Sequence, residues 1–151
     1  MNRKFMAAIW GLTASATLAA APVVEFKNPP DVHKATGYTH VVVVNSGKLV
    51  ILAGQVGLNQ KGEMAADFAG QVQQAFANVA AGLAVAGAKP SDLVKLNFYV
   101  VGLDQAKLSV LRAARDRLIN IKQPPASTLV GVQTLFREDA LIEIEAQAVM
   151  P

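Results

Sequence analysis

From Val94 to Val101 the chain alternates, with Val94, Leu96, Phe98 and Val100 separated by Lys95, Asn97 and Tyr99. A period of two puts the apolar set on one face of a strand and turns the others to the opposite face. Upstream the period changes. Phe68, Val72, Phe76, Val79 and Leu83 recur at helical steps, so one face of a long helix is apolar; Asp67 precedes it and Gly87 is placed to stop it. A second stripe, Leu108, Leu111, Ala114, Leu118 and Ile121, follows Asp104, an N-cap residue type, and runs toward Pro124-Pro125. Lys107, Arg112, Arg115 and Arg117 lie mostly off that stripe.

Val41 to Val44 and Leu49 to Leu52 flank Asn45-Ser46-Gly47, which predicts a hairpin. Two final strands are expected over residues 127–135 and 140–149, joined through Arg137-Glu138-Asp139. Residues 22–38, with Pro29-Pro30 and Gly37 and no sustained period, read as an extended lead-in holding at most one short strand. The folded domain is therefore expected over residues 39–151. The order ββαβαββ predicts an α+β sandwich, a mixed sheet with two helices on one face. No further helix is left for the other face, so copies of the chain are expected to cover it.

Composition narrows the class. The chain has 151 residues, 52% hydrophobic and 17% charged, in keeping with one compact domain. Asn2-Arg3-Lys4, the apolar run Phe5 to Leu18 and the small residues Leu18-Ala19-Ala20-Ala21 together predict a signal peptide over residues 1–21, and hence a periplasmic or secreted protein. An uncleaved anchor is the competing reading. The run is shorter than the roughly 20 residues a spanning helix needs and is rich in weakly apolar alanine, so no membrane association is expected after processing. Without residues 1–21, Lys plus Arg falls from 14 to 12 against 11 Asp plus Glu. That near-balance, with no basic cluster interleaved with aromatics, makes nucleic acid a poor partner. With no cysteine, thiolate nucleophiles and cysteine metal sites are excluded.

Candidate chemistry is sparse. Glu143 and Glu145 alternate with Ile142 and Ile144 in mid-strand and point to one face, which by pattern alone is either a solvated face or a site. Gly54 and Gly57 suit tight backbone approach better than phosphate binding. Ser127 has no His/Asp relay in sequence to make it a nucleophile. Two histidines, His33 and His40, with scattered acids have no metal-ligand spacing, and neither metal nor cofactor is expected.

Several segments taken in order carry a resemblance. They are Asn28-Pro29-Pro30, Gly37-Tyr38-Thr39-His40, Ala53-Gly54-Gln55-Val56-Gly57, Gln71 and Asn78 on the first helix, Ala86-Gly87-Ala88 with Asp92-Leu93-Val94-Lys95, Pro125-Ala126, and Ile142-Glu143-Ile144-Glu145-Ala146. Over about residues 26–150 the chain resembles the RidA/YjgF family, also known as the L-PSP endoribonuclease-like or enamine/imine deaminase family. The resemblance implies a chorismate-mutase-like fold, a homotrimer, and clefts between subunits that bind a small imine, enamine or carbonyl metabolite. In deaminating members an arginine clamps the substrate carboxylate and a last-strand glutamate assists attack of water on the imine carbon.

Matched position by position, that glutamate is Glu143, while the arginine is replaced by Ser127, a common cysteine by Leu129, an entrance tyrosine by His40 and a cleft asparagine by Val110. The implied site is Glu143 and His40 for catalysis, with Ser127, Gly54, Gln55 and Leu129 contacting ligand. A guanidinium grips a carboxylate through two parallel charge-assisted bonds, whereas serine gives one neutral donor, so turnover of 2-iminopropanoate is expected to be weak. Arg112 or Arg137 is a candidate replacement clamp. Three uses stay open: imine or enamine hydrolysis, non-catalytic ligand binding or chaperone-like action, and RNA cleavage, which the weak charge disfavours.

Overall fold

These local signals become elements largely where the patterns place them. In the computed structural model, which describes Ala21 and residues 23–151, the chain forms β1 (Val24–Lys27), β2 (Val41–Val44), β3 (Lys48–Val56), α1 (Phe68–Val85), β4 (Leu93–Val101), α2 (Gln105–Leu118), β5 (Ala126–Val132) and β6 (Ile142–Met150). The leader expected over residues 1–21 lies, apart from Ala21, outside the described residues. Among the described residues no helix is long and apolar enough to cross a membrane.

Both helices start as expected. The Asp67 carboxylate accepts from the Gly70 amide at 2.7 Å and the Asp104 carboxylate from the Lys107 amide at 2.7 Å, each satisfying a donor that the first helical turn leaves free. At the end of α1, Gly87 adopts φ +79°, so the Gly87 amide reaches the Ala84 carbonyl at 3.0 Å and the Ala88 amide the Leu83 carbonyl at 2.9 Å. A left-handed residue just past a helix closes it in this way, and glycine takes that conformation without a Cβ clash. The second helix ends earlier than its apolar stripe. Its cap is Ile119, extended and buried, while Ile121 lies outside the helix and is exposed.

Four strands lie in the order β3-β6-β4-β5. β6 is antiparallel to β3 and β4; β4 and β5 are parallel and are joined by α2, the crossover that parallel neighbours require. The sheet is therefore mixed, as the element order implies. Leu96, Phe98, Val100, Ile142, Ile144 and Ala146 point to one face and bury against Val72, Phe76, Val79 and Leu83 of α1. Phe76 and Phe98 meet edge to face with centroids 6.1 Å apart.

The expected hairpin between Val41–Val44 and Leu49–Leu52 does not form. β2 pairs antiparallel with β1 in a separate two-stranded ribbon, Val24 opposite Val44 and Phe26 opposite Val42. The turn formers account for it: the Asn45 amide donates to the Val23 carbonyl at 2.9 Å and the Ser46 hydroxyl accepts from the Val23 amide at 3.1 Å. They tie β2 back to the incoming segment, and β3 takes β6 as its neighbour instead.

The sheet face away from the helices is bare, as expected, but its middle is polar. Lys95, Asn97 and Tyr99 of β4 share it with Glu143, Glu145 and Gln147 of β6, flanked by exposed Leu49 and Ile51 of β3.

Candidate functional site

The two mid-strand carboxylates are separated by their neighbours across the strand. Glu145 lies opposite Asn97 and accepts from its Nδ2 at 3.0 Å; it also accepts from the Tyr99 hydroxyl at 3.0 Å. Tyr99 is directly opposite Glu143 in the register, yet its hydroxyl reaches diagonally to Glu145, a span that aromatic side chains cover. That hydrogen bond, followed by desolvation and the negative charge of Glu145, holds the Tyr99 pKa above its ordinary value, because ionising the phenol would set two anions together. Glu145 is thus committed to the sheet.

Glu143 is not. Its half-buried carboxylate makes no hydrogen bond or ion pair among the described residues. It lies directly over Gly54 of β3, where a Cβ would overlap the carboxylate, so the glycine is needed for this approach. The register of β3 against β6 slips between Leu52 and Gln55, an irregularity that brings Gly54 under the acid. Gln55 folds back, its Nε2 donating to the Ala53 carbonyl at 2.9 Å. Gly57 packs on the backbone of α1, where a Cβ would stand 2.6 Å from the Gln71 Cα.

Ser127 and Leu129 lie on the opposite, helix-bearing face, opposite Leu96 and Phe98 in the parallel register. They line a cavity of about 180 Å³ with Thr36, Tyr38, Phe98, Leu108, Leu111, Arg112 and Arg115. The lining combines apolar side chains with the hydroxyl-bearing Thr36, Tyr38 and Ser127 and two arginines. Arg115 is largely buried, and both its Nε and Nη2 donate to Asp116 Oδ1, at 2.9 and 2.7 Å. Arg112 has no carboxylate within salt-bridge distance among the described residues. Arg137 lies away from this cavity, on the turn before β6, with Nε 2.9 Å from Asp139 Oδ1 and Nη2 2.6 Å from Oδ2. This pairing holds the Asp139 carboxyl below its usual range. Val110 packs against the core rather than into the cavity.

His40 reaches the cavity only through a neighbour. Its Nε2 donates to the His33 carbonyl at 2.9 Å and its ring stands edge-on to Tyr38, centroids 5.1 Å apart. The Tyr38 hydroxyl is 2.7 Å from His33 Nε2. The same segment is pinned to the start of β5: the Thr39 amide and hydroxyl donate to the Pro125 and Pro124 carbonyls at 3.2 and 2.6 Å. Gly37, at φ +76°, allows the backbone to pass against the Arg115 guanidinium.

The expected site residues therefore fall into three groups within one chain: Glu143 over Gly54 with Gln55 beside it on one sheet face, Ser127 with Leu129 on the other, and His40 behind Tyr38. Tyr38 and Arg115 belong to the cavity although no sequence feature assigned them to it; the glycine before Tyr38 was the available signal. Among the described residues no three His, Asp or Glu side chains converge as a metal site would require.

A family model described as Endoribonuclease L-PSP matches residues 29–150. The chain is 35% identical over 113 residues to a 2-iminobutanoate/2-iminopropanoate deaminase of Escherichia coli (strain K12), covering 73% of this chain and 86% of that protein. It is 32% identical over 126 residues to a RutC family protein of Aquifex aeolicus (strain VF5), covering 83% and 98%. Among solved structures, a Rid family protein of unknown function, YyfB from Yersinia pestis, superposes with a TM-score of 0.77 at 35% identity, covering 84% of this chain and 98% of that one.

Proposed function

The chain belongs to the RidA/YjgF family, the Endoribonuclease L-PSP family of the matched model, and from that premise we propose that it is a homotrimer that hydrolyses a small imine or enamine in clefts between its subunits. The observation that carries this reading is Glu143, a half-buried carboxylate seated over Gly54 and left without a donor among the described residues while its neighbour Glu145 takes two. A carboxylate so placed can orient and deprotonate a water. Glu143 carries a proton from the attacking water to the imine nitrogen, giving a carbinolamine. It then carries the hydroxyl proton to the same nitrogen as the C–N bond breaks. Ammonia and a 2-oxo compound leave, and the carboxylate ends as it began.

The arrangement of the sheet supports a site shared by more than one chain. Glu143 and the Ser127–Leu129 cavity lie on opposite faces of one protomer, so a ligand can touch both only where copies meet. Exposed Leu49 and Ile51, at 55% and 68% of their surface, supply apolar contact beside the polar row. In this arrangement Gly54 and Gln55 border the water side of the cleft, Ser127 and Leu129 the ligand side. His40 acts by holding Tyr38 at the entrance.

Enzymatically generated 2-iminopropanoate tests the reaction through ammonia release. Wild type is expected to exceed the uncatalysed rate but to run slower than the Escherichia coli relative, because Ser127 supplies no cation. A general base contributes roughly a hundred- to ten-thousandfold, so Glu143→Ala is expected to remove the excess. Full turnover in that variant, or a monomer by light scattering, overturns the reading. The serine at position 127 favours one alternative, a binding protein without chemistry, for which wild type itself would release no extra ammonia from 2-imino acids.

A further inference from the structure

The cavity over Ser127 has an unbalanced charge. Its ionisable lining residues are Tyr38, Arg112 and Arg115, and no carboxylate faces it. Arg115 is already occupied: two of its nitrogens bind one oxygen of Asp116 and its guanidinium packs against Gly37. Arg112 stands one helical turn before it, on the same side of α2, and makes no ion pair among the described residues.

The shape sets the class of anion. Specific small-molecule pockets usually span roughly 300–1,000 Å³, so the part of the cleft that one protomer supplies, about 180 Å³, takes only a short anchored end of a ligand. Phe98, Leu108, Leu111 and Leu129 offer it a short apolar floor, and Ser127 a hydroxyl within the same lining. A monocarboxylate with a small aliphatic chain meets all three demands; a phosphate or dicarboxylate would leave charge against the leucines. Arg137, the other candidate clamp, lies away from this cavity in the same protomer and already makes two bonds to Asp139.

We propose that Arg112 is the anion anchor of this chain: a guanidinium on α2 holding the carboxylate of a short-chain 2-imino or 2-oxo acid over Ser127, Leu129 and Phe98, where the family pattern would place an arginine on β5. The choice of acid rests on the imine-hydrolase reading above. Because Arg112 is an exposed helix residue with a long stem, it fixes the carboxylate less rigidly than a strand arginine, in line with the slow turnover expected above.

Pyruvate, 2-oxobutanoate and uncharged pyruvamide serve as stable probes in NMR titrations of the full mature protein. Pyruvate and 2-oxobutanoate are expected to shift the Ser127 and Leu129 resonances. Arg112→Ala is expected to weaken both by about tenfold or more, the weight of a charge-assisted bond, with Arg112→Lys in between. Arg137→Ala is expected to bind as wild type, and pyruvamide to be indifferent to either change. The proposal is overturned if wild type binds neither acid, if Arg112→Ala binds them unchanged, or if Arg137→Ala loses as much. Ammonia release separates the two readings. Arg112-dependent acid binding without turnover removes the hydrolase and keeps the anchor, while Glu143-dependent turnover indifferent to Arg112 does the reverse.

Discussion

Gln71 is the polar residue on which the position of Glu143 depends, and its replacement gives a measurable forecast. The side chain is 1% exposed inside the helix–sheet layer. Its Oε1 accepts from the Leu141 amide at 2.7 Å, and its Nε2 donates to the Asp139 and Ala65 carbonyls at 2.8 and 3.1 Å. Gln71→Leu keeps the volume and strands one amide and two carbonyls. Each stranded group costs about 1–3 kcal/mol when fully buried, but Asp139 is exposed and Ala65 and Leu141 are half-buried, so water recovers part of it. The added apolar burial of leucine returns about 1–2 kcal/mol. A net loss of about 1–3 kcal/mol remains.

Gln71→Glu separates hydrogen bonding from packing. It keeps the acceptor for Leu141 but turns both donors into a carboxylate facing two carbonyls, a buried unpaired charge that costs about 3 kcal/mol or more. At neutral pH the expected order of stability in urea denaturation is wild type, then leucine, then glutamate. The gap between the two variants narrows as acid protonates the carboxyl. If both variants unfold within about 0.5 kcal/mol of wild type, or leucine is the worse at neutral pH, Gln71 does not hold the entry to β6 in the way described.

Two other predictions concern the open face. Gly54→Ala forces a methyl into the Glu143 carboxylate and is expected to cost about 1–3 kcal/mol. In a Glu143→Ala background most of that cost should vanish, and additive effects in this double-mutant cycle would refute the contact. Tyr99 contributes through a raised pKa, so its stabilisation is fully present below the unfolded value near 10.0 and is lost as pH rises through the higher folded value. The melting-temperature gap between wild type and Tyr99→Phe is therefore expected to stay flat from neutral pH to about 10 and to close above it; a gap that persists into stronger alkali would show that Glu145 does not govern the phenol.

The elements that the sequence announced are those specified by neighbours along the chain. The apolar stripe of α1, the alternation of β4 and the caps Asp67, Asp104 and Gly87 each need only a few consecutive residues. Pairing is decided elsewhere. Nothing between Val41 and Leu52 says that Asn45 and Ser46 will bond to Val23, so the ribbon of β1 and β2 was illegible and a hairpin stood in its place. The site divides in the same way. Pattern puts Glu143 and Glu145 on one face but cannot say which one Tyr99 will take, because a diagonal reach is chosen over the direct register. Arg112 was visible as a basic residue off the apolar stripe. Its meeting with Ser127, fifteen residues on, depends on how α2 lies over the β5 side of the sheet.

The polarity of the open face bears directly on the proposed assembly. β5 is the last strand of its sheet, and apart from the bridge between Thr39 and Ala126 its outer edge has no strand partner among the described residues. Such an edge, and the exposed apolar side chains of Leu49 and Ile51 on β3 at the other end of the sheet, favour contact with another chain. The row Lys95, Asn97, Tyr99, Glu143 and Glu145 opposes a dry contact, since an unpartnered carboxylate taken out of water is costly. In the proposed assembly an interface built on this face would close at its edges and keep water over Glu143. In the proposed reaction such a water, unfavourable for tight packing, would be the second reactant that hydrolysis of an imine requires.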